Sequence, residues 1–279
     1  MTFEHRTVRN RRASTAQVLY EDDAIVVINK PAPLLTIPDH FDRTLPNLAE
    51  MLRETYGEIF IVHRLDRDTS GIVVFAKTEA AHRQLSRQFE AHTVRKTYLA
   101  LAEGCLKEEE GVVRHPVADD PANPGRSRID ERHGKESETA YRVIERFTNA
   151  TLLEATPRTG RLHQIRVHLR SMGHPLLLDP VYGFHEAVFL SQMKHNYKLT
   201  AESEAPLMSR LSLHAATLSM VHPITGEPVT FEAPAPKDFE GLLKQLRKFQ
   251  RIDWSRKPAS LLSLRRGNRQ RSRETEEKF

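Results

Sequence analysis

His63-Arg64-Leu65-Asp66-Arg67-Asp68-Thr69-Ser70-Gly71 lies between two short apolar runs, Ile59-Phe60-Ile61-Val62 and Ile72-Val73-Val74-Phe75-Ala76. Both runs are brief, β-branched and aromatic, a pattern that predicts buried strands. A charged segment slung between two such strands is held at both ends, as a site that must aim one group requires. Nearby positive charge favours the ionised form of a carboxylate. Asp66 and Asp68 are therefore both candidates for a base or nucleophile, and the arginines beside them can meet phosphate. On residue types alone, a solvated turn is the simpler reading, with Asp68-Thr69-Ser70-Gly71 supplying ordinary turn chemistry. An aspartic protease is excluded, because that chemistry needs two paired Asp-Thr/Ser-Gly loops and there is no second copy.

At 279 residues the chain can bury one large core or two modest ones. A composition of 39% hydrophobic and 28% charged residues describes a soluble globular protein, and no apolar run reaches the length of a membrane span. The first residues lack the apolar core of a signal peptide. The single cysteine, Cys105, cannot form an internal disulfide, which fits a reducing cytoplasm. A net charge of +5 suits a polyanionic partner without demanding one. The 14 histidines fall at no zinc-site spacing, and no phosphate-binding or dinucleotide loop is present, so neither metal nor cofactor is expected.

Residues 1–17 are polar and basic and predict a loose arm. Ala24-Ile25-Val26-Val27-Ile28 predicts a buried strand ended by Asn29-Lys30-Pro31, where Lys30 either meets phosphate or pairs with an acid. Helices are predicted from Thr44 to Gly57, capped by Thr44, and from Thr78 to His92, with Ala81, Leu85 and Phe89 as the buried stripe. Arg95 to Ala102 alternates as a strand, placing Tyr98 on the face opposite Leu99 and Leu101. Residues 107–138 predict exposed loops, and strands resume at Glu138–Phe147 and Thr151–Thr156. A helix follows in which Leu162, Ile165, Leu169 and Met172 form the buried stripe and His163, Arg166 and Arg170 an adjoining polar face. Residues 184–209 read as a polar insertion. A last strand is predicted at Val229–Pro234 and a closing helix around Phe239–Phe249. Residues 251–279 predict a basic, disordered tail that either adds salt-sensitive RNA affinity or does nothing.

His63-Arg64-Leu65-Asp66-x-x-Thr69-Ser70-Gly71 resembles the signature of the RluA-type pseudouridine synthases, in which the aspartate is catalytic. Arg95-Lys96-Thr97-Tyr98 and Arg158-Thr159-Gly160-Arg161-Leu162-His163-Gln164-Ile165-Arg166 are similar to two further family segments. So is Arg210-Leu211-Ser212-Leu213-His214-Ala215. Pro175 to Gly183 resembles the family too, with Leu178 where glycine is common, and Pro33 likewise stands where glycine is common. The resemblance spans about residues 18–240, and no separate N-terminal RNA-binding domain is expected. It implies an α+β fold with a largely antiparallel, mixed central sheet flanked by helices, and a catalytic domain over residues 18–250.

The implied reaction cuts the C1′–N1 bond of a uridine in ribosomal or transfer RNA, turns the uracil and rejoins it through C5. The resemblance makes Asp66 catalytic, as base or nucleophile. It makes Tyr98 the stacking partner of the uracil, Arg166 the contact of Asp66, and Leu213 a wall of the pocket. Arg64 either fills the space left by a flipped base or holds the backbone. A monomer is expected. The reading from another class is a noncatalytic RNA-binding chaperone on the same fold. The presence of Asp66, Tyr98 and Arg166 counts against it as a sole function.

Overall fold

The computed structural model describes residues 7–9, 15–40, 42–194, 197 and 204–252. Most of the predicted arm and nearly all of the predicted tail lie outside them. In chain order the first elements are strands Thr7–Arg9 (β1), Thr15–Glu21 (β2) and Ile25–Lys30 (β3), helix Leu48–Tyr56 (α1), and strands Phe60–Ile61 (β4) and Ser70–Ala76 (β5). Helix Glu79–Glu90 (α2) and strands Arg95–Glu103 (β6), Glu110–Val113 (β7), Val117–Asp119 (β8) and Ser127–Ile129 (β9) follow. Strands Thr139–Arg146 (β10) and Ala150–Pro157 (β11), helix Gln164–Ser171 (α3), strands Leu213–Val221 (β12) and Pro228–Glu232 (β13), and helix Lys237–Phe249 (α4) complete the order.

The main sheet runs β1-β2-β3-β5-β12-β6-β11-β10-β7, with β4 and β13 added beside β5 and β12. Every ladder in it is antiparallel except β5 with β12, where Ser70 pairs with His214 and Gly71 with Ala215. The expected α+β fold with a mixed, mostly antiparallel sheet is what forms. The side chains alternate as the pleat requires. Val73 and Phe75 of β5 and Tyr98 and Ala100 of β6 join one core with α1 and α3. Ile72 and Val74 pack on the opposite face with Ala81 and Leu85 of α2, and Leu101 does so with Phe239, Leu242 and Leu246 of α4. No helix among the described residues is long and apolar enough to cross a membrane.

Several expectations need correction. Residues 7–9 pair with β2 as an edge strand, so this part of the arm belongs to the sheet. Thr44 does not cap α1. Its hydroxyl bonds Asp42 at 2.6 Å, while the Asn47 side chain accepts from the Glu50 N–H at 3.0 Å and caps the helix. Thr78 does cap α2, accepting from the Ala81 N–H at 3.2 Å. Residues 107–138 are not all loop, since β7 extends the sheet edge and β8 and β9 form a hairpin. The insertion at 184–209 is tied down where Val188 and Met208 bridge and bury against the α4 core. Leu178 adopts φ 61°, a left-handed conformation unusual for a branched residue, at the position where the family's glycine would be at ease.

Candidate active site

The predicted strand before the central segment shrinks to two half-buried residues, Phe60 and Ile61. Past Ile61 a side chain continues the ladder: His63 Nε2 accepts the Val74 N–H at 3.1 Å. Its ring stacks on Phe89 with centroids 4.6 Å apart. Burial, with the nearby charge of Lys96, pulls the His63 pKa down to about 3, so the ring stays neutral and able to accept.

Asp66 sits in a loop whose neighbours are fixed on both sides. The Thr36 hydroxyl donates to Leu65 O at 2.8 Å and accepts the Leu65 N–H at 3.1 Å. Arg67 O accepts from the Leu34 N–H at 3.0 Å and from Lys30 Nζ at 3.1 Å. Lys30 therefore does neither of the things predicted for it. It is fully buried, and its amine bonds three carbonyls: Pro31 O at 3.1 Å, Leu34 O at 2.6 Å and Arg67 O. Burial lowers its pKa to about 7 against the pull of Asp66 and Asp68. It anchors the loop from beneath. The loop that carries Pro33 has a cis Ala32–Pro33 peptide bond and is tied to the Asp66 loop through the Leu34 N–H bond to Arg67 O.

Helix α3 supplies the second wall. It begins at Gln164, so Leu162 falls in the preceding turn and lines the cleft instead of the helix stripe. The Gln164 amide holds that turn, with Oε1 accepting from Thr159 Oγ1 at 2.7 Å and from the Arg161 N–H at 3.1 Å. The expected polar face is solvated at Arg170 but not at Arg166, which is only 3% exposed. Its Nε and Nη2 donate to both oxygens of Asp179 at 2.8 and 2.7 Å, and its Nη1 reaches Asp66 Oδ2 at 3.4 Å. The predicted contact with Asp66 is present, but the stronger partner is Asp179. Burial opposes the charge on Arg166, yet the bonds to Asp179 and the charges of Asp179 and Asp66 raise its pKa further. The Arg166 guanidinium also lies 5.1 Å from the centre of the Tyr182 ring.

Asp179 has no exposed side-chain surface. Removing one partner of a buried pair strands the other's charge. Asp179→Ala is expected to lower the unfolding free energy by about 3 kcal/mol or more, read as a shift in the urea midpoint. A variant as stable as the parent would show that Arg166 finds another counter-charge.

Arg64, Asp66, Tyr98, Arg166 and Leu213, drawn from four remote segments, line a single cleft of about 400 Å³. Arg64 is exposed at its edge. Tyr98 and Leu213 come from paired neighbours β6 and β12 and line the cleft as buried side chains. Burial raises the Tyr98 pKa, and the Asp66 charge adds to the shift, so the hydroxyl keeps its proton. Asp68 is not among the cleft residues. The sequence reading missed Asp179, the Gln164 clamp, and the partners of His163 and Lys96. Asp179-Pro180 stood in a segment already singled out, but no local signal ties that carboxylate to Arg166.

Comparison with known proteins finds relatives over most of the chain. The sequence model of a family described as RNA pseudouridylate synthase matches residues 24–171. The ribosomal large subunit pseudouridine synthase D of Nitrosomonas europaea is 39% identical over 246 residues, covering 86% of this chain and 68% of that protein. The dual-specificity RNA pseudouridine synthase RluA of Haemophilus influenzae is 37% identical over 217 residues, or 77% of this chain and 91% of the relative. Among solved structures, the human RNA pseudouridylate synthase domain containing 4 superposes with a TM-score of 0.62 at 27% identity, covering 82% of this chain and 92% of its own. The chain belongs to the RNA pseudouridylate synthase family, as an enzyme of the RluA type.

Proposed function

We propose that residues 18–250 isomerise specific uridines of large-subunit ribosomal RNA or transfer RNA, with Asp66 as the catalytic group. The observation that carries this reading is the convergence of Asp66, Arg166, Tyr98 and Leu213 on one cleft that a single nucleotide can enter. A base in a duplex is out of reach, so the uridine is flipped out at a cost of a few kcal/mol, and Arg64 at the cleft edge fills the vacated space or holds the backbone. The Tyr98 ring offers the uracil a stacking face worth about 1–3 kcal/mol, and Leu213 closes the other wall. Arg166 fixes the Asp66 carboxylate and balances its charge.

The reaction is tested by mapping pseudouridine in cellular RNA from a strain lacking the gene and from strains restored with the wild type or Asp66→Asn. A site lost on deletion and regained only with the wild type supports the reading and names the RNA. An unchanged map, with both RNA classes covered, sinks it in favour of RNA binding without catalysis.

Lys96 adds a charge for the backbone of the same RNA. It lines the cleft beside Gly160, its Nζ stands 5.9 Å from the centre of the Phe89 ring, and among the described residues it has no carboxylate partner. Lys96→Ala is expected to weaken RNA binding and to flatten the slope of log affinity against log salt by about 0.7–0.9, the share of one phosphate contact. Burial lowers the Lys96 pKa. Its contribution is therefore present at low pH and fades as pH rises through that lowered value, earlier than for an exposed lysine. Lys96→Arg should remove this alkaline loss. Titrations across pH with the wild type and Lys96→Arg check the sign, and parallel curves would refute it.

A further inference from the structure

His163 occupies a position that its own backbone resists. With φ 53° it is left-handed at the start of α3, and its side chain makes no capping bond there. A non-glycine residue held so is worth asking about. The imidazole points into the cleft, with Nε2 3.7 Å from Asp66 Oδ2 and Nδ1 3.0 Å from the Tyr182 hydroxyl. That hydroxyl accepts the Ser127 N–H at 2.8 Å and has Ser127 O 3.0 Å away. Burial lowers the His163 pKa against the pull of Asp66, so the ring is mainly neutral and carries one proton.

The Tyr182 hydroxyl also has only one proton to give. If Ser127 O takes it, the imidazole must donate from Nδ1, and the bare lone pair of Nε2 then confronts the Asp66 carboxylate. If Nδ1 takes it, Nε2 carries the N–H and points a donor at Asp66. The second arrangement pairs donor with acceptor beside the charge and avoids opposing two lone pairs. Arg166 Nη1 and His163 Nε2 then both address Oδ2 of Asp66, while Oδ1 has no hydrogen bond among the described residues.

We propose that His163 is a positioning residue for Asp66. Its Nε2–H, with the tautomer set by Tyr182, is aimed at Oδ2 from 3.7 Å, just beyond hydrogen-bond length, beside the Arg166 contact, and Oδ1 is the oxygen presented to the reacting nucleotide. This rests on the proposed reaction.

His163→Gly separates backbone from side chain, because glycine takes the left-handed conformation without strain. This variant should be at least as stable as the parent. Its single-turnover rate at saturating RNA should nevertheless fall about 10- to 100-fold, with KM changed by less than about twofold. His163→Asn, which tolerates the same φ and keeps an N–H donor, should recover part of the rate. Tyr182→Phe should slow the parent but add nothing to His163→Gly. Full turnover in His163→Gly would overturn the proposal, as would additive losses in the double variant. The ¹⁵N shifts of the His163 ring supply a readout that needs no turnover: Nδ1 unprotonated supports the assignment, and Nδ1 protonated overturns it. A wild type inactive on every RNA would sink the reaction itself, and the ring shifts would still decide the tautomer.

Discussion

Asp66→Asn is expected to abolish pseudouridine formation, with a rate loss of at least about 10⁴-fold, while leaving the fold intact. The stability forecast follows from the contacts. Asp66 keeps partial exposure, and its links to Arg166 and His163 are long, at 3.4 and 3.7 Å. Arg166 does not lose its counter-charge, because Asp179 holds it through two shorter bonds. The amide is nearly isosteric and still accepts at Oδ1, so the missing element is the charge and its capacity to attack or take a proton. Asp68→Asn is the matched control. Asp68 is outside the cleft, so its loss should leave turnover within a few-fold of the parent, about 1 kcal/mol or less in barrier height. Single-turnover assays on the mapped RNA and thermal midpoints for the three proteins check both. Substantial turnover in Asp66→Asn, or a dead Asp68→Asn, would move the chemistry to the wrong carboxylate.

Gly71→Ala should be the most damaging glycine-to-alanine change among the described residues. Gly71 has φ 113°, which an L side chain rarely adopts. Its added Cβ would also drive into the backbone of Ala215, within 2.6 Å of the nitrogen and in closer conflict with the carbonyl oxygen. Backbone in a central strand cannot step aside as a flexible side chain can. The two effects together should cost more than about 4 kcal/mol. The parallel β5–β12 register would open, and the cleft with it. The measurement is the denaturant midpoint, or the yield of folded protein if the variant does not survive purification. An unshifted midpoint would mean that β12 can slide away without penalty. The signature's glycine is thus a packing requirement of the strand that follows the loop.

The sequence made the candidate site more legible than the scaffold that supports it. Asp66, Tyr98, Arg166 and Leu213 were readable because each stands in a short segment of fixed spacing that resembles the family. Helix α2 was readable because Thr78 and the four-residue stripe are local signals. What escaped was long-range pairing. Nothing near Asp179 announces that it will meet Arg166 from across a turn, since a buried carboxylate looks the same in sequence as a solvated one. Lys30 invited a phosphate or an acid because lysine is rarely satisfied by carbonyls alone. Its cage exists only once the loops carrying Leu34 and Arg67 have folded over it. Thr44 was read as the cap of α1, and Asn47 was not considered although it caps as well by residue type; in the fold Asp42 engages Thr44 instead. The short strands in 107–138 gave no periodic signal over three or four residues. Their existence depends on partners such as β10.

The single parallel ladder divides the sheet by chain order. Strands β1, β2, β3 and β5 come from residues 7–76, and everything beyond β5 in the main sheet comes from residues 95–232, with β12 inserted at the boundary. Ser70 and His214, bonded through their side chains at 3.0 Å, are 144 positions apart. Closing so long a loop carries a large entropic penalty before any contact repays it, and such pairings are slow to form. Asp66 leaves the ribosome well before Leu213 does. A nascent chain therefore holds Asp66 without a finished cleft around it, and the cleft is complete only once β12 has been made and has inserted.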